Sequence, residues 1–199
     1  MVIHISASAE IDPSVAIGDG SKIWDATQIR SGSSVGIDCT IGRMVYVGPN
    51  VVIGDRVKIQ NSSIIYEPCT LHDGVFIGPN VVITNDKYPR AVNPDGSVKL
   101  AEDWMPVGTV VGAGASIGAG AICVAPLNIG KWAVIAAGSV VTRDVVDFAL
   151  IAGVPAQRIG WVGPAGFPLK TLDQINFICP VSGLAFKQIS PDLLEFQEN

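Results

Sequence analysis

The side chains best equipped for chemistry lie between Thr84 and Val107, in TNDKYPRAVNPDGSVKLAEDWMPV, a polar stretch stiffened by prolines. Asn85 carries a carboxamide that can accept one hydrogen bond and donate another, including to an oxygen that is developing negative charge. Asp86 can accept from an amine or a hydroxyl, or cap the loop. Tyr88 offers a ring to a sugar or base and a phenol to a phosphate. The planar fork of Arg90 suits a pyrophosphate or a carboxylate. Upstream, KIQNSSIIY (58–66) adds Gln60, Asn61 and Tyr66, with Gln60 and Tyr66 expected to point outward. Plainer roles stand beside these: Asn85 could merely turn the chain out of Ile83, and the other loop residues could pack or pair with neighbours.

Strong general bases are scarce. The chain has only two histidines, His4 near its start and His72 in LHDGVF, where an outward, solvated or interface residue is expected. Three metal-binding imidazoles cannot be assembled from two. The four cysteines show no paired short spacing, so neither a disulfide framework nor a thiolate metal site is expected. Cys39 and Cys69 read as small buried side chains. Cys179-Pro-Val-Ser182-Gly is half a zinc knuckle whose second cysteine is serine, and no metal is expected there.

The elements that must position these residues are written in a six-residue register. An aliphatic falls at Ile5, Ile11, Ile17 and every sixth position to Ile83, and the register resumes out of phase from Val111 to Val141. Period six is neither the 3.6 of a helix nor the plain 2 of a strand. It fits short strands joined by corners, and Gly directly after the aliphatic, with Asp or Asn nearby, is expected to turn the chain through positive φ. Three units close a triangular coil of 18 residues, placing Ile5, Ile23, Ile41, Ile59 and Ile77 in one stack. About seven coils at roughly 4.8 Å give a prism some 30–35 Å long, each coil buried by its neighbours. The stretch 84–107 interrupts this repeat, and loops on a rigid scaffold tend to carry function.

Composition sets bounds. Hydrophobic residues make up 48% of 199 and charged residues 16%, enough for a core, yet no apolar run approaches a membrane span. The opening MVIHISASAEI lacks the pattern of a signal peptide, so a soluble, cytoplasmic protein is expected. Net charge is −5 with no basic cluster, which argues against a nucleic-acid partner. Residues 1–163 read as the repeat domain. Residues 164–199 differ in composition and read as an extension with a hairpin, Phe177–Ile178 against Leu184–Phe186 around Pro180–Gly183, docking on the assembly.

The pattern aliphatic-Gly-x-x-small-x resembles the hexapeptide repeat of the left-handed parallel β-helix, and the expected hand comes from that resemblance. Ala136-Ala137-Gly138-Ser139-Val140-Val141-Thr142-Arg143-Asp144-Val145, followed by Ala152-Gly153-Val154-Pro155-Ala156, is similar to the segment that ends the coil domain of hexapeptide acyltransferases. The resemblance implies acetyl-CoA as cosubstrate. Backbone amides at Ala119 and Ala137 would hold its pantetheine arm, and Thr142, Arg143 and Arg158 would lie by its adenine and 3′-phosphate end. Many relatives carry Arg directly after Gly-x-Pro-x, where this chain has Gln157, so Arg158 points differently. Arg143 could equally be a solvated corner charge.

GVFIGPNVVITNDKYPRA narrows the resemblance to N-acetyltransferases that acylate nucleotide-linked amino sugars, UDP-2-acetamido-3-amino-2,3-dideoxyglucuronate and dTDP-3-amino-3,6-dideoxyhexoses among them. It implies homotrimers with sites between subunits and an Asn, here Asn85, beside the thioester sulfur. A neutral sugar amine needs orientation rather than a strong base, and the thiolate can take its proton. An O-acetyltransferase acting on a sugar hydroxyl, and a non-catalytic β-helix subunit of an assembly, are the competing readings.

Overall fold

The computed structural model describes residues 2–197. It is all β apart from one short 3₁₀ turn, Ala101–Asp103, in the insertion. Two-residue strands, beginning His4–Ile5, Glu10–Ile11 and Ala16–Ile17, pair in parallel with the strands of the next coil and build three flat sheets. The first face stacks Ile5, Ile23, Ile41, Ile59, Ile77, Ile117, Ile135 and Ile151. The second runs from Ile11 to Val141, the third from Ile17 to Ile129. The solenoid has about eight turns, one more than the register foretells. The last is hidden in the sequence because it is two residues short: Ile129 bridges Val145 and Ile135 pairs with Ile151, each 16 positions on.

The aliphatics point inward and are almost wholly buried from Ile23 upward, forming one continuous core. The small residue two places earlier is polar for a reason. Ser21, Thr27, Ser33 and Ser63 donate to the carbonyls of Gly36, Gly42, Gly48 and Gly78 on the next coil at 2.6–2.8 Å. Cys39 does the same through its thiol to Gly54, so most of the buried polar slots are satisfied, whereas Thr109 Oγ1 in the equivalent slot meets no partner.

One expectation about the corners is corrected. The glycine after each aliphatic is not the positive-φ residue. That conformation falls two places later, at Ala26, Asp38, Met44, Asn50, Arg56, Ser62, Asn80, Trp132 and Phe148, all with φ of 54–61°. The earlier glycine is there because coils touch. A Cβ on Gly36 would lie 2.6 Å from the carbonyl of Gly54 on the next coil.

The insertion leaves at the corner between the second and third faces. Leu71 pairs with Val111, 40 positions on instead of 18, so 22 residues are looped out. Its ends are tied, since Val107 N–H donates to the carbonyl of Asn85 at 3.0 Å. Within it Val92 bridges Val98, and Asp103 Oδ2 accepts from Leu100 N–H and Asn93 Nδ2. Trp104, near the insertion's return to the coils, is half-buried with an Nε1 that meets no partner.

After the last coil the hairpin Ala149–Gly153/Ala156–Trp161 turns back antiparallel. The extension then forms a four-stranded antiparallel sheet. The expected hairpin is its centre, Asn176–Ile178 paired with Ala185–Ser190. Lys170–Thr171 and Leu193–Gln197 add the outer strands. Phe186, 1% exposed, meets Phe148 and Phe196 edge-on and stops the open end of the core. All four cysteines are free and buried, and burial pushes the thiols of Cys69 and Cys123 up to about 12. Among the described residues no cluster could hold a metal ion, and no helix is long and apolar enough to cross a membrane.

Candidate active site

The six-residue corners sort the candidate residues into columns, one residue per coil. On the corner between the second and third faces, Glu67, Asn85, Ala125 and Arg143 lie in one column, each two places past its core residue. Tyr66, Thr84 and Thr142 lie in the column beside it. On the corner between the first and second faces, Asn61, Pro79, Ala119 and Ala137 form the equivalent column, with Gln60 beside it. The proposed residues therefore fall on two corners of the chain rather than one. A face six residues wide, up to ~20 Å of extended chain, separates them.

At several levels an Asp or Asn of the next coil caps the corner amide: Asp55 takes Ile37 N–H, Asp73 takes Asp55 N–H, Asp147 takes Lys131 N–H, and Asn61 takes Arg43 N–H, all at 2.7–3.0 Å. Ala119 has only Ala137 above it, which offers no acceptor. The N–H groups of Ala119 and Ala137 donate to nothing among the described residues, and both residues are exposed. Two open amides one coil apart can receive the carbonyls of an extended amide chain. Asn61 is committed differently, since its Oδ1 already serves Arg43.

On the other corner, Asn85 is half-buried and its carboxamide makes no hydrogen bond among the described residues. Thr84 Oγ1 accepts from Ala125 N–H at 3.2 Å, fixing the loop's exit against the coil above. Asp86 Oδ1 accepts from Tyr88 N–H at 2.8 Å, so one carboxylate oxygen shapes the turn. Tyr88 is 75% exposed with the Lys87 ammonium 5.8 Å from its ring, and Arg90 donates to the carbonyl of Pro89. Asp86, Arg90, Lys99 and Trp104 line a cleft of about 350 Å³ under the insertion.

Glu67 is the residue that reading the sequence missed. Its Oε2 is buried without a partner, tucked against Gly48 one coil below. A desolvated acceptor with nothing to accept is costly, commonly 1–3 kcal/mol or more for a charged group. Such groups are kept where a ligand completes them. Burial, and then the Glu67 charge, push the Tyr46 phenol upward. The available signal was positional, an acid 18 residues before Asn85 and hence directly beneath it. Replacing Glu67 with Gln should raise the melting temperature by a few degrees, read by scanning calorimetry. A lower melting point would show the carboxylate to be structural.

The cofactor-end residues gather near the top. Arg143 and Arg158 line one cavity of about 280 Å³ with Asp144, Gln157 and Asp192. Arg158 stacks on the Trp161 ring at 4.3 Å and pairs with Asp192 of the extension at 3.2 Å. Arg143 is exposed and makes no ion pair among the described residues, and Asp144 is spent on Asn128 N–H and Nδ2. Neither histidine is on these two corners: His4 sits on the first face, ring to ring with Trp24, and His72 on the corner between the third and first.

Residues 50–85 match the family described as Bacterial transferase hexapeptide (six repeats). The coils described above carry the same six-residue repeat on either side of that match. The chain is similar to several named proteins over part of its length. It is 49% identical over 65 residues to dTDP-3-amino-3,6-dideoxy-alpha-D-galactopyranose 3-N-acetyltransferase of Aneurinibacillus thermoaerophilus, covering 33% of this chain and 34% of that one. It is 46% identical over 67 residues to the Bifunctional protein GlmU of Fervidobacterium nodosum, covering 33% of this chain and 15% of that one. The curated relatives are thus matched over about a third of their length or less. Among solved structures, GDP-perosamine N-acetyl transferase from Caulobacter crescentus, bound to CoA and GDP-perosamine, superposes with a TM-score of 0.53 at 25% identity, over 80% of this chain and 57% of that one. AntD, an N-acyltransferase from Bacillus cereus bound to dTDP and Coenzyme A, shares the fold with a TM-score of 0.52 at 17% identity, over 80% of each chain.

Proposed function

We propose that the chain is an acetyl-CoA-dependent N-acetyltransferase that acetylates the 3-amino group of a nucleotide-linked amino sugar, on UDP or dTDP, for surface polysaccharide synthesis in the cytoplasm. The observation that carries this reading is the corner at Asn85. It offers an uncommitted carboxamide above an unpartnered carboxylate oxygen, and no imidazole.

The neutral amine nitrogen attacks the thioester carbonyl carbon. Asn85 donates to the oxygen as charge builds, the carbon–sulfur bond breaks, and the thiolate takes the amine's proton, leaving an acetamide and CoA. Such a step needs placement more than basicity. A hydroxyl acceptor most often relies on a histidine base, and neither corner carries an imidazole, which disfavours the O-acetyltransferase reading.

Asn85 and the open amides of Ala119 and Ala137 lie on different corners, so one chain does not close a compact site. A cyclic trimer brings the Asn85 corner of one protomer to the Ala119–Ala137 corner of the next and yields three equivalent grooves. Pro79 belongs to the same coil as Asn85, and Ala119 and Ala137 lie one and two coils above. The pantetheine arm then rises from Asn85, and the phosphate end meets Arg143 and Arg158.

The test is release of free thiol from acetyl-CoA with UDP- or dTDP-linked 3-amino sugars and with their 3-hydroxy counterparts. Thiol should appear with the amine alone. No thiol with any amine, together with no CoA binding by calorimetry, would leave a non-catalytic β-helix subunit.

A further inference from the structure

The amino-sugar reading leaves the nucleotide half of the acceptor without a place, and the corner below Asn85 has the features to hold it. From Thr84 one column descends coil by coil through Tyr66 and Gly48 to Arg30. Tyr46, on the second face one coil below Ile64, sets its ring 5.4 Å from that of Tyr66 at 57°. Arg30 lies beside the Tyr46 phenol, where its positive charge favours the phenolate and opposes the effects of burial and of Glu67. Between Arg30 and Tyr66 stands Gly48, whose missing side chain leaves a notch that the Glu67 carboxylate partly enters. A cavity of about 220 Å³ continues below, lined by Glu10, Asp12, Gln28 and Arg30.

The nearby acids are held mainly by other groups: the Ser14 hydrogen bonds, and to a lesser extent the Arg30 charge, hold the Asp12 carboxyl below its usual range. Asp12 Oδ1 accepts from Ser14 N–H and Oγ at 2.9 and 2.6 Å, and Glu10 accepts from Gln28 Nε2 at 2.9 Å. Arg30 itself closes no ion pair among the described residues. A planar, uncommitted guanidinium flanked by two tyrosines suits a phosphate with an attached ring system.

We propose that this strip, Arg30 with Tyr46, Tyr66 and the Gly48 notch, binds the nucleoside diphosphate of the acceptor. The inference rests on the amino-sugar reading and adds where, and in which direction, the carrier lies. Direction follows from occupancy. Above Asn85 the groove belongs to the pantetheine arm, so the acceptor must run downward. Length agrees: a hexose with its 3-amine at Asn85 places its two phosphorus atoms one to two strand spacings away, about 5–10 Å, level with the notch. The base then lies against the lower coils, and Glu67 faces the sugar ring between Asn85 and the notch.

Arg30→Ala should raise KM for the nucleotide-linked amino sugar about tenfold or more with kcat within about threefold, the pattern of lost binding rather than lost chemistry. By calorimetry the same variant should weaken UDP or dTDP by a similar factor and leave CoA affinity unchanged. Tyr46→Phe, which keeps the ring and removes the hydroxyl beside Arg30, should shift KM in the same direction by less. Unchanged KM and unchanged UDP and dTDP affinity in Arg30→Ala, with wild-type protein active, would overturn the strip and leave the amino-sugar reading standing. So would an altered mass of Arg30→Ala in light scattering, which would assign Arg30 to contacts between copies. Wild-type protein that neither binds UDP or dTDP nor acetylates any nucleotide-linked amino sugar would remove the underlying reading instead.

Discussion

Asn85→Ala should lower acetyl transfer by about a hundred- to a thousandfold, the usual loss when one donor to a developing oxyanion is deleted. Thermal stability should hardly move. The Asn85 carboxamide is free of hydrogen bonds among the described residues, and its structural bond, the carbonyl that receives Val107 N–H, belongs to the backbone and survives in alanine. Surface or half-buried changes that break no such feature usually stay within about 0.5 kcal/mol. The two quantities therefore separate, and a kinetic assay beside a melting curve tests them together. Asn85→Asp refines the point, because a carboxylate accepts but cannot donate. If the carboxamide serves the oxyanion, the aspartate variant is as poor as the alanine one. If it serves the amine, aspartate retains much of the rate. Full activity in Asn85→Ala would reduce the residue to a turn at the mouth of the insertion, and the proposed reaction centre would be lost.

How much of this could be read from the chain varies with the physics of each feature. The stacked core was plain because burial imposes one aliphatic per strand at a fixed interval, and Ile5 to Ile77 keep that interval without error. The insertion was plain for the same reason, as an interruption. The eighth turn was not, because Val145 and Ile151 arrive two residues early and break the interval that made the others visible. The corner glycines were legible as glycines but not as to cause. Gly18 and Gly36 avoid collision with the next coil, a contact between residues 18 apart, whereas the left-handed residue two places later is Gly at some corners and Ala, Met or Trp at others. Glu67 was hidden because an acid before a proline reads as a solvated turn, and its buried oxygen is known only once coils are stacked. The division of the candidate residues between two corners was also beyond the linear pattern. Asn61 and Tyr66 are five residues apart in the chain, yet they sit at opposite ends of a face.

Gly118→Ala should be a strongly damaging small substitution, and it joins stability to the site. A Cβ at Gly118 would lie 2.5 Å from Ala137 N, 2.8 Å from the Ile135 carbonyl oxygen and 2.9 Å from the Ala136 carbonyl carbon. All three are backbone atoms of the next coil, held at strand spacing by ladder hydrogen bonds, so none can swing aside as a side chain tip would. The methyl forces the coils apart at the corner where the open amides of Ala119 and Ala137 are stacked. Overpacking of this kind costs about 1–3 kcal/mol, and a chain of this size loses roughly 2–4 °C in melting temperature for each kcal/mol. Against that, alanine restricts the unfolded chain and returns only about 0.4–1 kcal/mol, so the clash wins. Gly160→Ala supplies the control, because nothing lies within 4 Å of its added Cβ and its φ is not in the left-handed region. There the unfolded-state term acts alone, and the melting temperature should stay level or rise slightly. Calorimetry with CoA should show Gly118→Ala binding at least tenfold more weakly and Gly160→Ala unchanged. Equal melting temperatures for the two variants would mean that the corner absorbs a methyl, and close contact between coils would no longer explain why glycine follows the core residue. A destabilised Gly118→Ala that still binds CoA normally would detach the Ala119–Ala137 amides from the cosubstrate while leaving the packing argument intact.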